Sequence, residues 1–248
     1  MTENWITERP RSGSGAVTHL AKNIVPALAL SAALIAAPAA FAHSLEDLES
    51  MLGDKEKYFQ PVEKEAPGFA LRNADGESVR LADLRGQVVV LHFIYASCPD
   101  VCPLHAEKIA EIQEMVNRTA MKDAVQFVSI TTDPRSDVAE VLRAYGPAHG
   151  LDPSNWTFLT TTPGQPEDAT RRLAKAYGHR FSRAEDGYQT HGIVTHVIDR
   201  EGRWRANFHG LEFNPVNLVL FVNALVNDVH RPDEHGRTSW WDRVRALF

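Results

Sequence analysis

The sequence predicts a mixed α/β fold. Three observations carry this expectation: a near-continuous apolar run at residues 88–95, a helical period that begins a few residues later, and a hairpin signal late in the chain. Residues 88–95 (VVVLHFIY) are β-branched, aromatic or apolar at nearly every position, the pattern of a strand covered on both faces. A helix follows from Pro103, with Ile109, Ile112 and Val116 on one face and Glu107, Lys108, Glu111 and Glu114 elsewhere. Residues 125–131 (VQFVSIT) read as the next strand. Asp137 with Glu140 three positions on reads as a capping box that opens a helix toward Tyr145. Residues 156–160 make a short strand, and 167–177 a helix closed by Gly178. Residues 193–198 and 204–208 flank Asp199-Arg200-Glu201-Gly202, a hairpin turn, and 215–229 form a last helix. Ahead of all these, residues 79–84 (VRLADL) supply a short strand.

In order, these elements are β-α-β-α, an added β-α, then β-β-α. That order fits a thioredoxin-like fold with a βα insertion and a C-terminal β-hairpin plus helix, parallel early and antiparallel at the hairpin. The 248 residues carry 26 Lys+Arg against 32 Asp+Glu, a net charge of −6, with 44 % hydrophobic residues. This is an ordinary globular balance, and it lacks the basic footprint of a nucleic-acid binder. Arg9, Arg11 and Lys22 precede an uncharged, Ala- and Leu-rich stretch that ends Ala40-Phe41-Ala42. Residues 1–42 therefore read as a secretory signal peptide, with an uncleaved membrane anchor as the alternative; either way the folded part is exported. Residues 43–60 follow as a short helix and linker, 61–229 as the domain, and 230–248 as a C-terminal tail. In that tail Trp240, Trp241, Val244, Leu247 and Phe248 share one helical face, suited to packing on the domain or to contact with a membrane surface.

Two cysteines exclude a disulfide framework and a four-cysteine zinc site within this chain. Both lie in Cys98-Pro99-Asp100-Val101-Cys102-Pro103, directly after the buried strand and at the start of the first helix. Free N–H groups and the positive dipole end at a helix N-terminus favour thiolate over thiol, and Pro103 suits the first helical position. The pair can close a disulfide or grip one metal ion. C-x-x-x-C is one residue longer than the usual dithiol redox motif, and soft thiolate ligands select Cu(I). Two sulfurs leave such a site unfinished. In a thioredoxin-like fold the loop entering the hairpin faces the first helix's N-terminus, which makes His191 the geometric candidate for a third ligand. Among the other histidines, His92 and His196 read as core residues of strands. His105 is near enough on the first helical turn to approach the site. His149, His179 and His209 read as solvated positions at element ends, His230 and His235 fall in the polar tail, and His43 follows the leader.

The segments APGFALRNADGESVRLADLRGQVVVLHFIYASCPDVCP, FVSITTDPRSDVAEVLRAYG and HGIVTHVIDREGRW resemble the Sco/SenC family of copper-handling proteins. The resemblance implies a periplasmic copper metallochaperone that assists assembly of the CuA centre of cytochrome c oxidase. Its partner would be the CuA subunit or another copper-accepting protein. By resemblance Cys98, Cys102 and His191 are the copper ligands, for Cu(I), Cu(II) or both, with Asp100 available to support those ligands or to recognise the partner. The family carries Asp before the ligand histidine, whereas this chain has Thr190, so the carboxylate that would orient the imidazole is missing. The alternative function is a thiol–disulfide oxidoreductase that keeps target cysteines reduced. There Cys98 would be the attacking thiolate and Cys102 the resolving one, with a Cys98–Cys102 disulfide as the oxidised state.

Overall fold

The computed structural model describes residues 45–183, 189–190 and 192–227, with backbone alone for 182–183 and 189–190. The expected leader, His43, His191 and the 230–248 tail lie outside the described residues. No helix among the described residues is long and apolar enough to cross a membrane.

Helix α1 (Leu45–Lys55) leads into β1 (Phe59–Glu65). Leu45 and Leu52, buried in the core, come from the stretch expected as helix and linker, and Phe59 and Gln60 already belong to the sheet. Two short strands, β2 (Ala70–Arg72) and β3 (Ser78–Arg80), pair antiparallel. The strand expected over 79–84 stops at Arg80. There the Asp83 carboxylate accepts from the Arg80 backbone N–H and guanidinium, and Leu81–Leu84 coils into a 3-10 turn. β4 (Val88–Ile94) follows, with every residue buried. Then come α2 (Val101–Asn117), β5 (Val125–Thr131), α3 (Ala139–Ala148), β6 (Trp156–Leu159) and α4 (Ala169–Ala176). A small arm of β7 (Ser182–Arg183) and β8 (Gln189–Thr190) precedes β9 (Val194–Ile198), β10 (Arg203–His209) and α5 (Pro215–Asn227).

The main sheet runs β1-β10-β9-β4-β5-β6. β4, β5 and β6 are parallel, as their helical crossovers require, while β9 pairs antiparallel with both β4 and β10. The pleat sorts alternate residues of β4 to opposite faces. Val88, Val90 and Ile94 pack with Ile109, Ile112 and Val116 of α2 and Phe221 of α5, whereas Val89, Leu91 and Phe93 meet Ile130, Tyr177 and Trp204 behind the sheet. Each such side chain contributes roughly 1.5–3 kcal/mol by leaving water, so β4 is a rigid platform for the turn at its end.

The capping box expected at Asp137 is not what forms. Val138, not Asp137, stands at the N-cap of α3, without a side-chain cap. The Asp137 carboxylate is drawn inward, where buried polar groups need an acceptor. It takes the Ala96 N–H at 3.1 Å and the Thr131 hydroxyl.

Candidate metal centre

The site grows from the end of β4. The chain leaves the sheet at Tyr95, Cys98 N–H donates back to Tyr95 O at 3.2 Å, and α2 opens at Val101. Pro103 is therefore the third helical residue rather than the first. It still lies in the turn whose N–H groups have no helical partner, so its missing donor costs nothing. Cys98 and Cys102, both free thiols, are 6 % and 2 % exposed and pack into the core cluster beneath α2.

Their surroundings act in opposite directions. Burial opposes ionisation of Cys98. It is outweighed by the backbone N–H groups of Asp100 and Cys102, the Cys102 thiol and the Tyr95 side chain, which bring Cys98 below the usual thiol range. Burial pushes the Cys102 thiol well above that range, and the charges of Cys98 and Asp137 add to the effect, against a backbone contact from Tyr95. Cys98 is thus the thiolate-prone sulfur and Cys102 the proton-holding one, joined by a hydrogen bond. This asymmetry matches the roles of attacking and resolving thiol.

Two residues that sequence reasoning did not assign to the site flank this pair. Asp137, 1 % exposed, holds the loop at Ala96, two residues before Cys98, and burial raises its own carboxyl. Tyr145 of α3 is 5 % exposed, and its hydroxyl is buried without a hydrogen-bond partner among the described residues. Burial, followed by the charges of Cys102 and Cys98, pushes that hydroxyl far up. Tyr145 sits three residues after Leu142 on the buried stripe of its helix, a signal the sequence did carry.

Among the described residues no three His, Cys, Asp or Glu side chains gather as a metal site; the two sulfurs are what the fold brings together. His191 lies outside the described residues. Its neighbours do not: Thr190 pairs with Ser182, and Ile193 O accepts from Gly210 N–H at 2.9 Å. His105, expected near enough to approach the site, is 2 % exposed with Nε2 at 2.9 Å from Thr195 Oγ1 of β9. His92 and His196 are fully buried core residues, as expected. His179 departs from its expected solvated position: it is 5 % exposed and bonds to His196.

A family model described as SCO1/SenC matches residues 59–226. A SCO2-like protein of Rickettsia prowazekii is 32 % identical over 158 residues, 62 % of this chain and 74 % of that protein. Among solved structures, BsSco, described as a member of the Sco family of cytochrome c oxidase assembly proteins with a disulfide switch, superposes with a TM-score of 0.59. It is 22 % identical over 67 % of this chain and 96 % of that one. Yeast Sco1 with copper bound gives a TM-score of 0.56 at 22 % identity, over 72 % of this chain and 98 % of that one. The likeness to these structures bears out the thioredoxin-like fold read from the order of strands and helices. With most of its length matched, this chain belongs to the SCO1/SenC family.

Proposed function

We propose that this chain is a copper metallochaperone. Cys98 and Cys102, as thiolates, and His191, through an imidazole nitrogen, hold copper in an exchangeable site and pass it to the CuA subunit of cytochrome c oxidase. The observation that carries the reading is the sulfur pair: two thiols in contact at a helix N-terminus, one eased toward thiolate and one kept protonated by burial. A soft cation takes both sulfurs, and its charge makes loss of the Cys102 proton favourable where burial alone forbids it. Copper in yeast Sco1 and the assembly role given for BsSco support the cargo and the class of partner. Thr190 leaves the imidazole without an adjoining carboxylate, which weakens retention of Cu(II) more than of Cu(I). Residues 1–42 act as export leader or anchor, so the 61–229 domain works in the periplasm. The N-terminal segment, where it is kept as an anchor, or the 230–248 tail is its point of contact with the membrane.

The asymmetry of the thiols favours a second activity on the same residues, thiol–disulfide exchange. Cys98 thiolate attacks a target disulfide and Cys102 displaces the target. Two electrons and two protons leave the cysteine pair, which closes a disulfide as the target's two thiols are restored. Cu(I) loading of fully reduced and fully oxidised protein, with thiol titration, separates the two readings. The reduced protein is expected to bind Cu(I) and the oxidised protein to bind none. Equal loading of both would remove the sulfurs from the site. A reduced protein that ignores copper yet reduces a target disulfide would put the oxidoreductase reading first.

A further inference from the structure

On the sheet face away from the cysteine turn, His179 Nε2 and His196 Nε2 lie 2.9 Å apart. At that distance the two nitrogens share a single proton, so one ring donates and the other accepts. The neighbours decide which. Trp204 Nε1 can only donate, and it lies 2.9 Å from Asn207 Oδ1, which fixes that atom as the amide oxygen. His196 Nδ1, 2.7 Å from the same oxygen, must therefore carry a hydrogen. Burial beside Tyr177, Trp204 and Phe93 keeps His196 neutral. A neutral ring with its proton on Nδ1 presents a bare Nε2, so His179 Nε2–H is the donor. The chain of bonds continues outward from Asn207 Nδ2 to Gln60 Oε1 at 2.9 Å, where His209 Nε2 also lies within 2.8 Å.

His179 stands at the foot of the β7–β8 arm. Gly178 (φ +89°) ends α4, His179 N–H returns to Ala174 O at 3.0 Å, and three residues on Ser182 pairs with Thr190, the residue before His191. His196 lies five residues past His191, in β9, held between β4 and β10. The imidazole bond thus ties the outgoing limb of the arm to the strand that the chain rejoins. We propose that His196, acting through His179 Nε2–H, is a positioning residue: the pair anchors the foot of the arm, whose described backbone ends at Thr190, and thereby serves the ligand role proposed for the next residue, His191. The link to the cysteines rests on His191 being a copper ligand; the anchoring does not. Apolar side chains here would pack without fixing a direction, whereas a buried hydrogen bond does both.

Asparagine and glutamine separate the two ring nitrogens, because Asn reaches as far as Nδ1 and Gln as far as Nε2. His196→Asn keeps the bond to Asn207 and loses His179; His196→Gln keeps an acceptor for His179 and loses Asn207. His179→Leu is an independent cut of the same bond. The readouts in the full chain are amide exchange at residues 179–183 and 189–190 without metal, and the Cu(II)–thiolate absorption after loading. His196→Asn and His179→Leu are expected to speed arm exchange about tenfold or more and to weaken the absorption, while His196→Gln follows the parent. The double variant His196→Asn/His179→Leu should be no worse than either single one, because both remove one interaction. Imidazole nitrogen NMR of the parent should find the His196 proton on Nδ1. Equal acceleration by His196→Asn and His196→Gln, or parental exchange in His179→Leu, overturns the proposal whatever copper does. Faster exchange with an unchanged copper band, in a protein whose band His191→Ala still abolishes, overturns the positioning role. If His191→Ala itself leaves the band intact, the three-ligand reading fails instead, and the exchange data alone judge the anchor.

Discussion

The two faces of the central sheet carry polar clusters of opposite character. On the α2 face, Cys98 and Cys102 bond chiefly to each other and to backbone N–H groups, the Tyr145 hydroxyl lacks a partner among the described residues, and Asp137 is a buried carboxylate with a raised proton affinity. On the other face, His196 uses both ring nitrogens, and Asn207 accepts from Trp204 and donates to Gln60. A closed network of this kind fixes geometry. An open one, with a proton to lose and polar atoms to spare, is where partners can be exchanged. The proposed copper and thiol chemistry therefore belongs to the cysteine face, and the proposed alignment to the histidine face.

The largest effect that would sharpen this contrast is loss of a sulfur. Cys98→Ser or Cys102→Ser should weaken Cu(I) binding by more than about a hundredfold in competition assays, because a hydroxyl is a poor ligand for a soft cation. Parental affinity in either variant would detach the α2 face from copper chemistry.

Next come the buried imidazoles. Burial holds His92 at about 3, against an ordinary value of 6.5, and holds His196 well below that value too. Below pH 6.5 the unfolded chain takes up protons that these folded side chains refuse. Stability is therefore lost as pH falls, by up to about 1.4 kcal/mol per pH unit for each histidine, until the folded rings titrate. His92→Leu should flatten that acid limb by about one proton in denaturant titrations across pH. At neutral pH it should also cost about 1–3 kcal/mol, because Ser129 Oγ loses its 3.0 Å partner. Parallel acid limbs for parent and variant would break the account of a neutral, buried His92.

A smaller effect probes Asp137. Its charge disfavours the Cys102 thiolate, so Asp137→Asn should lower the pH at which Cys102 titrates and favour the reduced pair over the disulfide. Thiol alkylation rates across pH and redox equilibration against a reference dithiol read both. No change in either would make Asp137 only a clasp for Ala96. The smallest change is expected for Tyr145→Phe, which removes a hydroxyl without a partner among the described residues and should leave stability within about 1 kcal/mol of the parent or slightly above it.

Much of the fold was legible because its periodicities are strong. The 88–95 run became a strand over Val88–Ile94 that is buried at every position, and Gly178 and the Asp199–Gly202 turn fell where expected. What escaped were residues whose partners are distant in sequence. Asp137 obeys a local capping pattern, yet its carboxylate serves Ala96, which is 41 residues away. His179 looked like a loop residue because His196 is brought to it only by the sheet, whereas the 79–84 strand was cut short locally, by Asp83 reaching back three residues to Arg80. Of the candidate site, the cysteine turn was readable from C-x-x-x-C after a buried strand. The opposed leanings of its two sulfurs were not, since they arise from burial and from which N–H groups point at which sulfur.

The central claim is a copper site of two thiolates and one imidazole, and His191→Ala tests it most directly. The measurement is the Cu(II)–thiolate charge-transfer absorption of parent and variant at equal loading, with His105→Ala as the control for an imidazole already engaged by Thr195. His191→Ala is expected to lose most of that absorption while retaining Cu(I) on the two sulfurs, which suffice for a soft ion of low coordination. His105→Ala should resemble the parent. A His191→Ala protein that binds Cu(II) and Cu(I) like the parent would contradict the three-ligand site and leave thiol–disulfide exchange as the function of the cysteine pair.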